Sequence, residues 1–224
     1  KTGPIAADFD DDRVYCRNEL LEKLRSLVIG NQFSMLEGIG ATGKTVLVRQ
    51  LGLELSKEEN RSIYYFDCNL NRGFDQSELI KEINSTPGVF ILENIHIETN
   101  KFQSVFREVT KNLNRHILFV ARPSFRESQY SRDNDLSSVN NLVLTPFEQV
   151  DQIIEHYVAY HPNLPWSKAI LQTIKKIAAK SLWLVSYALE GYVQVYGQGD
   201  PTIWLATGVK TDLRDLERLN TNFP

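Results

Sequence analysis

Apolar positions recur along this chain with two different periods, and the switches between them mark its elements. Leu20, Leu21, Leu24, Leu27 and Val28 fall at three- and four-residue steps and predict a helix over 17–28. Phe33 to Glu37 reads as a short buried strand, and a glycine-rich turn over 38–43 leads into a second helical pattern at 44–57, with Val46, Leu47, Leu51 and Leu55 available for burial. The alternation continues. Ser62 to Asp67 predicts a strand, Asp75 to Glu78 a capping box opening a short helix, and Val89 to Leu92 a strand introduced by Pro87 and Gly88. Phe102, Val105, Phe106, Val109 and Leu113 keep helical spacing, His116 to Ala121 is a further strand, and Leu142 to Leu144 reads as a last edge strand.

Strands separated by helices of this length pair in parallel through right-handed crossovers, since a hairpin joins only antiparallel strands. The expected fold class is therefore α/β: a five-stranded parallel sheet sandwiched by helices. The polar stretch 122–141 is long for a plain connector and reads as a functional or mobile loop. From Thr145 the pattern becomes helical, with Val150, Ile153, Ile154, Tyr157 and Val158 in one stripe and further helices over 167–180 and 182–195. The expected domains are an acidic, disordered lead-in at 1–12, an α/β domain at 13–144, a small helical domain at 145–200 and an extension at 201–224.

Composition narrows the classes. The 224 residues are 42% hydrophobic, enough for one full domain and a smaller one. A net charge of −3 provides no overall field towards nucleic acid or anionic lipid, so a nucleic-acid partner is open but not favoured. No apolar run approaches the roughly 20 residues that span a bilayer, so no membrane partner is expected. Cys16 and Cys68, the only two cysteines, suggest neither a disulfide framework nor a zinc site, which fits a cytoplasmic setting. The start lacks an initiator Met and any signal-peptide pattern, and the chain reads as a piece of a longer protein.

The strongest chemical signal is Gly38, Ile39, Gly40, Ala41, Thr42, Gly43, Lys44 and Thr45, which together satisfy G-x-x-x-x-G-K-[ST] between a strand and a helix. Glycines let successive backbone N–H groups curl around phosphate oxygens, and the helix start adds favourable partial charge. Lys44 is placed to reach the β and γ phosphates and Thr45 to ligate Mg²⁺. A chance glycine turn requires neither the Lys-Thr pair nor the apolar strand before it. Glu93, directly after four apolar residues, is the candidate Walker B carboxylate and shares the metal with Thr45. Asn94 follows it; an amide can orient a water but cannot take its proton. Arg122 ends the strand 116–121 and can reach a γ phosphate from there, with Arg17 and Arg126 weaker candidates of the same kind. His96 is either a contact to nucleotide or metal-bound water, or a solvated or packing residue. Tyr64, Tyr65, Phe66 and Trp183 default to core packing.

These motifs resemble the STAND class of signal-transduction NTPases, a branch of the AAA+-like P-loop ATPases, over residues 13–195. Val14, Tyr15, Cys16 and Arg17 look like the family's N-terminal segment against the adenine, with Cys16 in place of a glycine. Leu92 to His96 is similar to its Leu-Glu-Asp-Leu-His Walker B, with Asn94 in place of the acid, and Phe119 to Arg122 resembles its sensor 1 strand. Leu144 to Glu148 looks like the entry to a helical lid. Trp183 stands where the family carries a proline on the lid's adenine side. The resemblance implies strand order 2-3-4-1-5 and ATP or ADP with Mg²⁺ bound by the P-loop, Val46, the N-terminal segment and the lid. It also implies self-association, or effector and sensor domains in a larger protein.

Three functions follow as expectations. The first is a regulatory switch with slow ATP hydrolysis, Lys44, Glu93, Asn94 and Arg122 carrying the chemistry. The second is an AAA+-type motor or loader acting on DNA, resembling replication-initiator and transposition-helper ATPases. The third is a scaffold with structural ADP. Small-molecule kinase activity is more remote, since no substrate-binding cluster stands beside the P-loop.

Overall fold

A computed structural model of the chain describes residues 15–40, 42–58, 61–109, 115–123, 139–145, 150–178 and 189. Contacts divide the chain into two units at 146/147.

The first unit carries α1 (Asn18–Gly30), β1 (Phe33–Gly38), α2 (Lys44–Ser56), β2 (Ile63–Asp67), α3 (Gln76–Ser85) and β3 (Gly88–Glu93). A 3₁₀ turn (Ile95–Glu98), α4 (Thr99–Glu108), β4 (Arg115–Ala121) and β5 (Asn140–Leu144) complete it. All four strand pairings are parallel, in the order β2-β3-β4-β1-β5, which is the order the resemblance implied. The period-two alternation sorts side chains to the two faces. Leu36, Val89, Ile91, Leu118 and Val120 pack with Leu21, Leu24 and Val28 of α1 and Leu47, Leu51 and Leu55 of α2. Met35, Phe90, Leu92, Ile117 and Phe119 pack on the other face with Leu79, Ile80 and Ile83 of α3 and Phe102 and Val105 of α4. Burial on both faces is why β3 and β4 read as continuous apolar runs.

Element ends follow local chemistry. Asp75 caps α3 by accepting the Ser77 backbone N–H at 2.8 Å. The turn at Ile95–Glu98 had no sequence signal, because Asn94 starts it from a left-handed conformation (φ 60°, ψ 31°) rather than from a side-chain cap. The register aligns Asp67 with Glu93 and Glu93 with Val120, while Glu37 pairs with Ala121. The ends of β2, β3, β4 and β1 therefore form one row at the carboxyl edge of the sheet, where open α/β sheets place ligands.

The second unit contains α5 (Val150–Tyr160) and α6 (Lys168–Ala178) around Ile154, Ile170, Ile174 and Leu189, with Val150, Ile153, Tyr157 and Val158 packed against them. The Trp166 indole N–H donates to the His161 carbonyl at 2.9 Å and fixes the link between the helices. Most of the stretch 122–141, the helix expected over 182–195 and the segments 1–12 and 201–224 lie outside the described residues. No described helix is long and apolar enough to cross a membrane.

Candidate functional site

The loop between β1 and α2 is shaped by two glycines. A Cβ on Gly38 would lie 2.7 Å from Thr42 Oγ1 and 3.1 Å from the Leu144 carbonyl oxygen, so the strand turns away through a gap without room for a side chain. Gly43 precedes α2 at φ 82°, a conformation that side chains disfavour. Thr42 is buried and its hydroxyl donates to the Ile39 carbonyl at 3.1 Å, tying the loop across itself, while Ile39 and Gly40 face solvent. Val46 lies half-buried in the first turn of α2. Ala41 falls outside the described residues, as do Val14, Arg126 and Trp183.

Lys44 folds back over this loop. Its ammonium donates to the Gly38 and Ile39 carbonyls at 2.6 and 2.8 Å. Burial, followed by the charge of Arg122, lowers its pKa to about 8, and Glu93 acts in opposition. Arg122, exposed just past β4, leans over the loop: its Nη2 would lie 3.8 Å from a Cβ on Gly40. Arg17 approaches from the other side and donates to the Gly43 carbonyl at 3.3 Å. Tyr15, half-buried, precedes it by two residues. Three cations thus converge on a loop of glycines, an arrangement that can hold an anion.

Beside the loop, Thr45 and Glu93 meet. The Thr45 hydroxyl donates to Glu93 Oε1, joining the start of α2 to the end of β3 across 48 residues of sequence. Glu93 is 1% exposed. Burial pushes its carboxyl up, while the Thr45 hydrogen bond and the Arg49 and Lys44 charges pull it down. A hydroxyl and a carboxylate are hard oxygen donors, the chemistry that Mg²⁺ takes.

Two partners at this edge carried no sequence signal. Tyr65, expected in the core, is 39% exposed; its ring lies under the Arg49 guanidinium at 5.4 Å and its hydroxyl donates to Glu93 Oε2. Tyr64 and Phe66, pointing the other way, do pack against the core. Asp67, at the end of β2, accepts the Asn94 side-chain amide at 2.8 Å and the Asn69 backbone N–H at 2.9 Å through the same Oδ1. Only the pairing register brings Tyr65 and Asp67 beside Glu93 and Asn94, and register is not written in either strand alone. The His96 ring is half-buried, and its Nδ1 is buried without a hydrogen-bond partner. Its pKa is lowered to about 4 by burial, then by Arg122 and Lys44.

Solved structures share this fold. A Walker-type ATPase of Pyrococcus abyssi superposes with a TM-score of 0.60 at 16% identity, covering 92% of this chain and 76% of that one. AMPPCP-bound DnaA from Aquifex aeolicus gives 0.55 at 15% identity over 89% of this chain and 65% of its own. Drosophila ORC bound to DNA gives 0.51 at 15% identity over 83% and 57%. No protein-family model matches the chain, and no curated protein does so by sequence.

Proposed function

We propose that the α/β unit binds ATP or ADP with Mg²⁺ in the loop 38–45 and hydrolyses ATP slowly. The contact between Thr45 and Glu93 carries this reading, because it joins the two halves of a magnesium–phosphate site from separate elements. The backbone amides of the loop and the start of α2 cradle the phosphates. Lys44 exchanges its two carbonyl partners for phosphate oxygens, and Arg122 offers a second positive charge above the loop. Thr45 and Glu93 would hold the metal, which supplies charge neutralisation of the β and γ oxygens when bound. Asn94, with one amide hydrogen on Asp67, can orient a water but has no base to take its proton, and that limits the rate. Lys44→Ala removes the charged phosphate contact and should abolish nucleotide binding in calorimetry; unchanged ATP affinity would refute the site.

Of the finer readings, a DNA-associated AAA+ motor or loader has more support than a STAND-type switch. Among the structural neighbours, ORC is bound to DNA and DnaA to AMPPCP. The switch keeps the support of the Leu92 to His96 segment and of the net charge of −3. Steady-state ATPase assays with and without duplex DNA separate the two. A rise in turnover with DNA supports the motor, whereas a nucleotide-dependent change in particle mass with no response to DNA supports the switch.

A further inference from the structure

The side chains around Glu93 form a closed set. Its two carboxylate oxygens are each taken by a different hydroxyl: Oε1 by Thr45 from α2 and Oε2 by Tyr65 from β2. Arg49, one helical turn after Thr45, lies over the Tyr65 ring and brings its charge near the same carboxylate. Thr45 and Arg49 are four residues apart and so share a face of α2. Tyr65 pairs with Ile91, two residues before Glu93, which puts it diagonally opposite on the same face of the sheet. Each carboxylate oxygen retains lone-pair capacity after accepting one hydrogen bond. The tyrosine therefore fixes the carboxylate without exhausting it.

The geometry points to Tyr65 as a positioning residue for the metal: it holds Glu93 in the orientation that, together with the Thr45 hydroxyl, receives Mg²⁺ alongside the nucleotide. This rests on the nucleotide site proposed above. A phenol covered by an arginine has few ways to move, and it holds the Glu93 carboxylate by the oxygen that Thr45 does not take. Without the hydroxyl, the buried carboxylate keeps one donor and is free to turn about its last torsion, and an ordered metal ligand becomes a loose one. Core packing does not require that hydroxyl, since the ring is partly exposed and its van der Waals surface is the same in phenylalanine.

Tyr65→Phe removes the hydroxyl and keeps the ring under Arg49. The measurement is the dissociation constant of a non-hydrolysable ATP analogue, taken once in excess Mg²⁺ and once in EDTA. For the variant, the EDTA value should match the wild type, while the gain in affinity on adding Mg²⁺ should shrink about tenfold, in keeping with one hydrogen bond to a charged group. With Mn²⁺ in place of Mg²⁺, the EPR spectrum of the bound ion should differ between the two proteins. An unchanged magnesium gain with an unchanged spectrum overturns the role of Tyr65 while leaving the nucleotide site intact. A loss confined to thermal stability, or an equal loss in both media, overturns it too and makes the residue purely structural. Wild-type protein that binds no nucleotide in either medium refutes the site itself, and this inference with it.

Discussion

Asn94→Asp supplies the carboxylate that a faster ATPase would need, and the position of Asp67 determines what that change does. The Asn94 amide nitrogen is 2.8 Å from Asp67 Oδ1. Replacing the amide removes a hydrogen bond to a charged acceptor, about 1.5–3 kcal/mol. It also sets two carboxylates against each other; at an effective dielectric of about 20, unit charges about 4 Å apart repel by about 4 kcal/mol. The pair limits this cost by taking up one proton. The single variant should therefore lose about 2–4 kcal/mol of stability at pH 8 and less at pH 5, because repulsion is relieved as the pH falls. Its single-turnover hydrolysis should gain little. In Asp67→Asn/Asn94→Asp the hydrogen bond is rebuilt with donor and acceptor exchanged, and the free carboxylate stands where the water is needed. That double variant should regain most of the lost stability, short of the Asn69 backbone bond that the same Asp67 oxygen accepts, and hydrolyse about 10²-fold faster or more, the range a general base supplies. Urea unfolding at the two pH values and rapid-quench hydrolysis give the numbers. A single variant as stable as the wild type at pH 8 and as fast as the double variant would show that Asp67 and Asn94 are not coupled.

Gly38→Ala places a methyl 2.7 Å from Thr42 Oγ1 and against the Leu144 backbone, so a loss of about 1–3 kcal/mol by thermal melting and a collapse of nucleotide affinity are expected together. The Lys44 pKa near 8 makes its ammonium costly to bury below that pH; ligand-free stability should rise between about pH 8 and 10.5, while nucleotide affinity falls over the same interval as the charge is lost. Calorimetric titrations at pH 7 and 9.5 and melting curves at pH 7.5 and 10 check both signs. Phe102→Ala empties a site 1% exposed between α4 and the sheet and should cost about 3–5 kcal/mol, read from denaturant midpoints.

Much of the α/β unit could be read from the chain because its elements advertise themselves locally. Lys44 and Thr45 sit in a spacing that matches the phosphate-loop pattern, and the run before Glu93 is apolar because β3 is covered on both sides. Tyr65 defied the same reasoning. In a run of three aromatic residues, sequence cannot say which one turns towards α2, and the answer comes from β2 pairing with β3 in a register that places Tyr65 opposite Ile91. Asp67 was overlooked for a related reason: a lone aspartate after a strand looks like a turn residue, and indeed it also accepts the Asn69 backbone N–H. The left-handed backbone of Asn94 has no local signature either, beyond the tolerance of asparagine for that conformation.

The inward fold of Lys44 has a further consequence. The ammonium is engaged by the Gly38 and Ile39 carbonyls, so any anion that takes it as a partner competes with two bonds inside the loop. For a polyphosphate, drawing the lysine away is part of binding, and observed affinity is discounted by the share of molecules in which it has swung clear. Arrival becomes a substitution, and its rate should level off at high ligand concentration, at the pace of the lysine's departure.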